Sequence, residues 1–148
     1  MTSSEATRAL VTGGAGFIGS NLVDLLLEQG HHVVVIDDFS SGSYKNLAHH
    51  AENPRLSVRE LDIRQYDRLL SAMAGASVVF HLAVQCLRLS LSDPALVHEV
   101  NARGTLNVAL AAQACGVDRL VYVSSSEVYG TAVEAQMDEE HPLEPTTV

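Results

Sequence analysis

The 148-residue sequence has few cysteines, few basic residues and no long apolar run, and each shortage excludes a class of protein. Its two cysteines, Cys86 and Cys115, show neither metal-ligand spacing nor a disulfide framework, so we expect reduced thiols, a cytoplasmic location and no metal site. Lys and Arg number 9 against 18 Asp and Glu, and this net charge of -9 argues against nucleic acid as a partner. No run of about 18 apolar residues and no export-signal pattern occurs, so we expect neither a membrane span nor secretion.

Length and pattern favour one domain of mixed helices and strands. Short β-type runs alternate with longer helical ones, which is typical of βα units that build a parallel sheet with helices on both faces. The fold class is therefore α/β, with a doubly wound parallel sheet. The predicted strands are residues 8–12, 32–37, 56–61, 76–83 and 119–124. The predicted helices are residues 17–29, 65–74 and 94–115, and residues 39–54 and 131–148 are predicted loops.

Two predicted helices carry further expectations. Gly30 should end the first, whose core-facing apolar residues are expected to be Ile18, Leu22, Leu25 and Leu26. The helix over 94–115 should begin at Pro94 and stop before Gly116. Its apolar residues lie around much of its circumference, and a sheet covers only one side, so this helix is a candidate homodimer surface.

A glycine-rich turn separates the first strand from the first helix, with the sequence T-G-G-A-G-F-I-G at residues 12–19. Backbone N–H groups of such a turn, together with the positive end of the helix dipole, bind a pyrophosphate. Gly13 and Gly14 would form the turn, Gly16 would admit the phosphate, and Gly19 would let the helix pack closely. Asp37 ends the second strand, where a carboxylate accepts hydrogen bonds from the adenosine ribose. The pattern predicts a Rossmann-type dinucleotide-binding domain over residues 1–130, with strand order 3-2-1-4-5 and NAD as cofactor.

Further motifs extend over nearly the whole chain. They are D-D-F-S-S-G at 37–42, D-I-R at 62–64, H-L-A at 81–83, D-P at 93–94, N-A-R-G-T-L-N-V at 101–108 and S-S-S-E-V-Y-G at 124–130. With the glycine-rich turn, they make the sequence resemble the extended short-chain dehydrogenase/reductases, namely the NAD-dependent nucleotide-sugar epimerase/dehydratase family. The resemblance implies a nucleotide-sugar substrate and a reaction that works by transient oxidation of a sugar hydroxyl.

The resemblance also implies the cofactor contacts. Asp62 and Ile63 would hold the adenine, with the exocyclic amine on the Asp62 carboxylate, although a plain surface Asp is the alternative. Leu82, Ala83 and Gln85 would line the nicotinamide and its ribose. The remaining expected contacts, besides the glycines, are Phe17, Ile18, Asp37, Asp38, Ser41, Gly42 and Asn101. Asp38 equally fits a solvated loop acid, Asn101 equally fits helix packing or capping, and His81 is expected to be a packed strand residue without a chemical role.

Two residues near the end of the fifth strand are the catalytic candidates that the resemblance implies. Ser125 would hydrogen-bond the sugar oxygen that is oxidised. Glu127 stands where related dehydratases and decarboxylases carry a carboxylate facing the sugar, and the alternative is that it caps the turn or pairs with an Arg. Because Ser126 replaces the acid that 4,6-dehydratases use, we rank epimerisation ahead of decarboxylation and dehydration. Tyr129 is expected to be a structural aromatic of the turn.

The sequence departs from the family at the general base, which is a Tyr in a Tyr-x-x-x-Lys helix. Lys45 is the only lysine, and none of the four tyrosines precedes a lysine by four positions. We therefore expect the chain to be the N-terminal cofactor half of a longer enzyme, stopping before the last strands and the substrate region. Residues 131–148 would form an acidic loop that leads towards the missing Tyr helix. The alternative is a noncatalytic dinucleotide-binding module.

Overall fold

A computed structural model of the chain describes residues 6–146, and its centre is one five-stranded parallel sheet. The strands are β1 Arg8–Thr12, β2 His32–Asp37, β3 Leu56–Glu60, β4 Val78–His81 and β5 Arg119–Tyr122. Their order is β3-β2-β1-β4-β5, and every neighbouring pair runs parallel. The predicted doubly wound fold and strand order are therefore confirmed. The chain reverses its winding direction between β1 and β4, at the centre of the sheet.

Helices connect the strands. The α-helices are α1 Phe17–Glu28, α2 Tyr66–Met73, α3 Leu87–Ser90, α4 Pro94–His98 and α5 Thr105–Ala114. Two 3₁₀ helices, Tyr44–His50 and Ser126–Tyr129, and a π-helical segment, Glu99–Gly104, complete the set within residues 6–146. The predicted loop over 39–54 was thus wrong in part, since its middle is helical, and α3 was not predicted. Residues 131–146 contain no helix or strand, and the last two residues of that predicted loop lie outside the described part.

The predicted helix over 94–115 is continuous in its backbone but changes its winding in the middle. Asp93 caps its start, where the Oδ1 atom accepts from the Leu96 N–H at 3.0 Å, and Pro94 is the first residue, as expected. The π-helical segment joins α4 to α5 without a break in helical dihedral angles. Segments of this kind are often found at functional sites.

Both faces of the sheet are covered, because alternate strand residues point to opposite sides. On one face, Val11 and Val35 pack among residues of α1 and the first 3₁₀ helix. On the other face, Leu10 and Val34 pack among residues of α2 and α5. No described helix combines the length and the apolar character that a membrane crossing needs.

The face by which α1 packs on the sheet differs from the prediction. Leu22 and Leu26 contact the core as expected, but Ile18 and Leu25 are 64% and 49% exposed. The helix is rotated because Gly19 faces the glycine-rich turn, which brings Val23 and Leu27 onto the sheet. Its first turn therefore exposes apolar side chains beside the carboxyl ends of the strands.

Candidate functional site

A cleft of about 660 Å³ lies at the carboxyl ends of the strands. It extends from the end of β3, past β2 and the N-terminus of α1, to the ends of β4 and β5. Open α/β sheets bind their ligands here, where the strand order reverses. The volume lies within the range of about 300–1,000 Å³ that is typical of small-molecule sites.

Most of the predicted site residues line this cleft. They are Gly13, Gly16, Phe17, Ile18, Gly19, Asp37, Asp38, Ser41, Asp62, Ile63, Leu82, Ala83, Gln85, Asn101, Ser125 and Glu127. Gly42 lies just outside the lining. A Cβ there would come within 2.8 Å of the Asp37 Oδ1 atom, so Gly42 leaves room for that carboxylate.

The glycine-rich turn brings three segments of backbone into contact. Gly13 has a φ of +68°, and a Cβ on it would stand 2.8 Å from the Ala83 nitrogen. A Cβ on Gly19 would stand 2.2 Å from the Gly13 carbonyl oxygen. These positions therefore require glycine for the turn and for the close approach of α1, as the sequence predicted.

The N-terminus of α1 faces the cleft without a capping side chain. Gly16 is the N-cap, and the first turn contains no acidic residue. Beside it, the side chains of Phe17 and Ile18 are exposed and line the cleft. The first N–H groups of a helix have no partner within the helix, and the helix dipole adds partial positive charge. This arrangement suits an anion that carries apolar groups on either side.

Asp37 is held firmly at the end of β2. Its Oδ2 atom accepts from the Ala15 N–H and its Oδ1 atom accepts from the Phe39 N–H, each at 2.9 Å. The residue is only 7% exposed, and its exposed part lies in the cleft. A carboxylate has about four lone-pair positions, so two stay available to a donor in the cleft. The described residues that line the cleft include no Lys, Arg or His, so nothing there favours an additional phosphate next to Asp37.

Asp38 and Ser40 form a small network at the rim. The Asp38 Oδ1 atom accepts from the Ser40 N–H at 3.0 Å and from the Ser40 hydroxyl at 2.6 Å. The Gln85 side-chain amide donates to the Ser40 hydroxyl at 3.1 Å. Because Gln85 follows β4 and Ser40 follows β2, this bond spans the cleft between the two loops.

At the β3 end of the cleft, Asp62 is paired with Arg64. Both carboxylate oxygens accept from the Arg64 guanidinium, and Oδ1 also accepts from the Arg64 backbone N–H at 2.8 Å. The hydrogen bond from the Arg64 side chain lowers the pKa of Asp62, which keeps the carboxylate ionised. Ile63 beside it is buried and packs in the core while lining the cleft.

At the β4 end, the chain from Leu82 to Gln85 is held by side chains from two other elements. The backbone N–H groups of Leu82 and Ala83 both donate to the Thr12 hydroxyl at 3.2 Å. Asn101, within the π-helical segment, pairs with the Gln85 backbone: its Oδ1 accepts from the N–H at 2.8 Å and its Nδ2 donates to the carbonyl at 2.9 Å. Asn101 therefore positions the loop that follows β4.

His81 is a packed strand residue, as the sequence suggested. Its Nδ1 lies 2.6 Å from the Thr12 hydroxyl and its Nε2 lies 2.9 Å from the Thr105 hydroxyl. Burial lowers the pKa of His81 to about 4, so the ring is neutral at pH 7. Since the Thr12 oxygen already accepts two N–H bonds, its proton points to Nδ1, and the histidine proton lies on Nε2.

The catalytic candidates lie at the β5 end of the cleft. The Ser125 hydroxyl accepts from the Glu127 N–H at 3.2 Å and caps the second 3₁₀ helix. The residues Ser125 and Glu127 are both exposed and line the cleft. Tyr129 packs edge-on against His141, with ring centroids 5.5 Å apart, in keeping with a structural role.

Sequence reasoning missed Ser40 and Tyr122, which line the cleft, and Thr12, which is fully buried and supports it from below. Tyr122 lines the β5 end and packs against His81, with ring centroids 5.6 Å apart. Thr12 is the first residue of the glycine-rich motif, and this position could have identified it from the sequence as a residue next to the site. Its partners, His81 at the end of β4 and Leu82 just after it, lie about 70 positions away, and no local pattern pairs such distant residues.

Residues 9–148 match the NAD dependent epimerase/dehydratase family. The UDP-glucose 4-epimerase of Mycolicibacterium smegmatis is 44% identical over 144 residues, which are 95% of this chain and 46% of that protein. UDP-glucuronic acid decarboxylase 1 of Arabidopsis thaliana is 37% identical over 128 residues, 86% of this chain and 28% of that protein.

The fold is also similar to that of solved enzymes. DesIV, a dTDP-glucose 4,6-dehydratase from Streptomyces venezuelae solved with NAD and TYD bound, superposes with a TM-score of 0.89 and 36% identity. The match covers 95% of this chain and 46% of that one. The chain thus spans about half the length of the epimerase and of the dehydratase that it matches. It spans 28% of the length of the decarboxylase. With the family match extending from β1 to the end of the sequence, the chain belongs to the NAD dependent epimerase/dehydratase family.

Proposed function

We propose that the cleft binds NAD and that the chain is the cofactor-binding half of a nucleotide-sugar epimerase/dehydratase. The observation that carries this proposal is the glycine cradle around Gly13 and Gly19, which side chains would fill, beside the uncapped N-terminus of α1. Its backbone N–H groups suit a pyrophosphate. Phe17 and Ile18 expose apolar surface beside it, and Asp37 retains two acceptor positions for ribose hydroxyls.

The rest of the cleft accommodates the two ends of the cofactor. Ile63 provides an apolar contact for the adenine, and Asp62 accepts from its amine alongside Arg64. At the other end, Leu82 and Ala83 line the nicotinamide side. Asn101 holds the Gln85 backbone in place there. When bound, NAD supplies a hydride acceptor for oxidation of a sugar hydroxyl.

The substrate of the whole protein is a nucleotide sugar, and epimerisation is its reaction. The likeness to the UDP-glucose 4-epimerase of Mycolicibacterium smegmatis, at 44% identity, supports this choice. Ser125 lies exposed at the β5 end of the cleft, where its hydroxyl is free to meet the sugar oxygen that loses hydrogen.

The protein acts in the cytoplasm, in line with its free thiols. It dimerises through the exposed side of α5, where Leu106 and Leu110 face solvent.

Decarboxylation is the second candidate, and Glu127 favours it. Its carboxylate belongs to an exposed residue that lines the cleft two positions after Ser125. A carboxylate there suits proton transfer at the keto-sugar that follows oxidation. The 37% identity to a UDP-glucuronic acid decarboxylase supports this alternative. Identifying the product that the whole protein forms from UDP-glucose and from UDP-glucuronic acid separates the two.

Calorimetric titration with NAD and NADP tests the cofactor site. We expect NAD to bind more tightly, because Asp37 repels a 2′-phosphate and no cation lines the cleft among the described residues. Asp37→Asn should weaken NAD binding by about 1.5–3 kcal/mol, the value of a charge-assisted hydrogen bond. The neighbouring Asp38→Asn is the matched control and should cost less, because Asp38 is exposed at the rim and water screens its charge, whereas Asp37 is buried. Equal affinity for NADP, or equal losses in the two variants, would contradict the role of Asp37.

A further inference from the structure

Three metal-ligating side chains converge on the face of the molecule formed by α1 and the first 3₁₀ helix. The Nε2 atoms of His49 and His50 each lie 2.9 Å from the same oxygen, Oδ1 of Asp24. One ligand atom from each residue lies within 4.8 Å of the others. None of the three lines the cofactor cleft. This His-His-Asp cluster is therefore separate from the proposed NAD site.

The cluster has the spacing of a coordination sphere. A metal with bonds of about 2.0–2.2 Å to nitrogen and oxygen separates neighbouring ligands by about 2.8–3.1 Å in octahedral and about 3.3–3.6 Å in tetrahedral geometry. The two nitrogen–oxygen distances of 2.9 Å match the octahedral separation. Small side-chain movements are enough to admit an ion.

The surroundings keep the cluster in place while leaving one side open. The His50 side chain is 18% exposed and that of Asp24 is 35% exposed, whereas that of His49 is 55% exposed. The histidines are neighbours in the last turn of the 3₁₀ helix, and their rings lie 4.2 Å apart. An ion bound here has three protein ligands and room for water on the side of His49.

We propose that Asp24, His49 and His50 form a binding site for a divalent transition-metal ion of the zinc type. Two imidazoles and one carboxylate suit zinc, nickel, cobalt or copper, whereas magnesium and calcium prefer all-oxygen sites. Three protein ligands with a water in the fourth position are a common zinc arrangement. Cysteine spacing gives no sign of this site, and Asp24 is separated from His49 by 25 positions, so no local pattern reveals the cluster.

The site joins α1 to the segment that follows β2. The same segment is attached to the glycine-rich turn, where Ser43 N–H and the Asn46 side chain both donate to the Ala15 carbonyl, at 3.0 and 2.8 Å. A bound ion therefore stabilises the wall of the cleft that contains Ser41. None of the three metal ligands lines the cleft, so metal binding and NAD binding are separately measurable.

The test is titration of the untagged full chain with ZnCl₂ after treatment with EDTA and buffer exchange. We expect one Zn²⁺ per chain and a rise in thermal midpoint that EDTA reverses. Removing a residue that only hydrogen-bonds to a metal ligand weakens metal binding by about 10–100-fold. Removing a ligand itself should cost at least as much, so His49→Ala, His50→Ala and Asp24→Asn should each raise the Kd for Zn²⁺ at least tenfold. His98→Ala, which removes an exposed histidine on α4, is the matched control and should bind as the parent does.

The metal-free variants should keep the circular dichroism spectrum of the parent chain, which separates loss of ligand from loss of fold. Co²⁺ provides a second readout, because its visible absorption changes when imidazole and carboxylate replace water. Absence of saturable Zn²⁺ binding by the folded parent would overturn the proposal, as would equal weakening by His98→Ala. The cluster would then be only a pair of hydrogen bonds from histidines to one carboxylate.

Discussion

Thr12 joins the carboxyl ends of β1 and β4 through a single hydroxyl. Its oxygen accepts from the backbone of Leu82 and Ala83, and its proton is directed to the His81 ring. The ring in turn donates to the Thr105 hydroxyl on α5. Hydrogen bonds of this kind contribute about 0.5–1.5 kcal/mol each to stability. Removing one partner would leave another buried polar group unpaired, which costs more than one bond, so these residues stabilise the fold as a connected network.

The buried His81 predicts a loss of stability in acid. Its pKa is lowered to about 4 by burial, whereas the unfolded chain takes up a proton near pH 6.5. Above pH 6.5 the ring is neutral in both the folded and the unfolded chain, so it costs no stability. As the pH falls from 6.5 to 4, the free energy of unfolding therefore decreases by about 3 kcal/mol. Urea unfolding at pH 7 and pH 4 should show a smaller acid-induced loss for His81→Gln than for the parent chain.

The exposed His98 provides the control for that experiment, since His98→Gln should show the parent's acid-induced loss. An unchanged loss in His81→Gln would mean that the His81 ring is not kept neutral by burial.

At the scale of elements, the approach of α1 to the glycine-rich turn sets the orientation of the helix. The close contact between Gly19 and the Gly13 carbonyl turns Val23 and Leu27 to the sheet and leaves Ile18 in the cleft. The apolar residues of α1 thus serve two purposes. Those in the middle bury surface against β1 and β2, and those in the first turn line the cleft.

Gly19→Ala should destabilise the chain even though alanine is the better helix former. Alanine gains about 1 kcal/mol over glycine in a helix interior. Its Cβ would lie 2.2 Å from the Gly13 oxygen, and relieving such overpacking typically costs about 1–3 kcal/mol, or more when backbone must move. We therefore expect a net loss in the free energy of unfolding, measured in urea.

Gly16→Ala is the matched change in the same turn. Its Cβ would stand 3.2 Å from the Gly13 oxygen and its φ is -77°, so the loss of stability should be smaller. Because Gly16 lines the cleft, this variant should still bind NAD more weakly. If Gly19→Ala is as stable as the parent chain, α1 does not depend on this contact.

At the scale of the whole molecule, the cleft is open at its β5 side. The residues Tyr122, Val123 and Glu127 are exposed there. The chain spans less than half of the epimerase that it matches, at 46%. The sequence contains one lysine, Lys45, and no Tyr-x-x-x-Lys.

We therefore predict that the 148-residue chain binds NAD but does not interconvert UDP-glucose and UDP-galactose by itself. A positioned general base contributes about 10²–10⁴ in rate, and no tyrosine here has the lysine partner that lowers its pKa for that task. Incubation with NAD and UDP-glucose, followed by separation of the two sugars, tests this. The Mycolicibacterium smegmatis enzyme is the positive control, and interconversion by the chain above the rate of an NAD-only blank would refute the prediction.

Local sequence patterns were sufficient for much of the fold and for part of the site. Near-continuous apolar strands, separated by helices with a glycine after each, predict a parallel sheet covered on both faces, because such strands are buried on two sides. The helices α1 and α5 end two residues before the glycines predicted to stop them, Gly30 and Gly116. Gly13 and Asp37 were identifiable because a tight turn and a strand end impose their requirements on residues close in the chain.

Tertiary packing decided what depends on residues far apart in sequence. The rotation of α1 follows from the contact of Gly19 with the turn, so the exposure of Ile18 and Leu25 was not predictable from helical periodicity. The pairing of Asn101 with Gln85 is likewise set by packing. The same holds for Asp24, His49 and His50, since hydrophobic patterns specify which face of an element is buried but not which polar side chains meet across two elements.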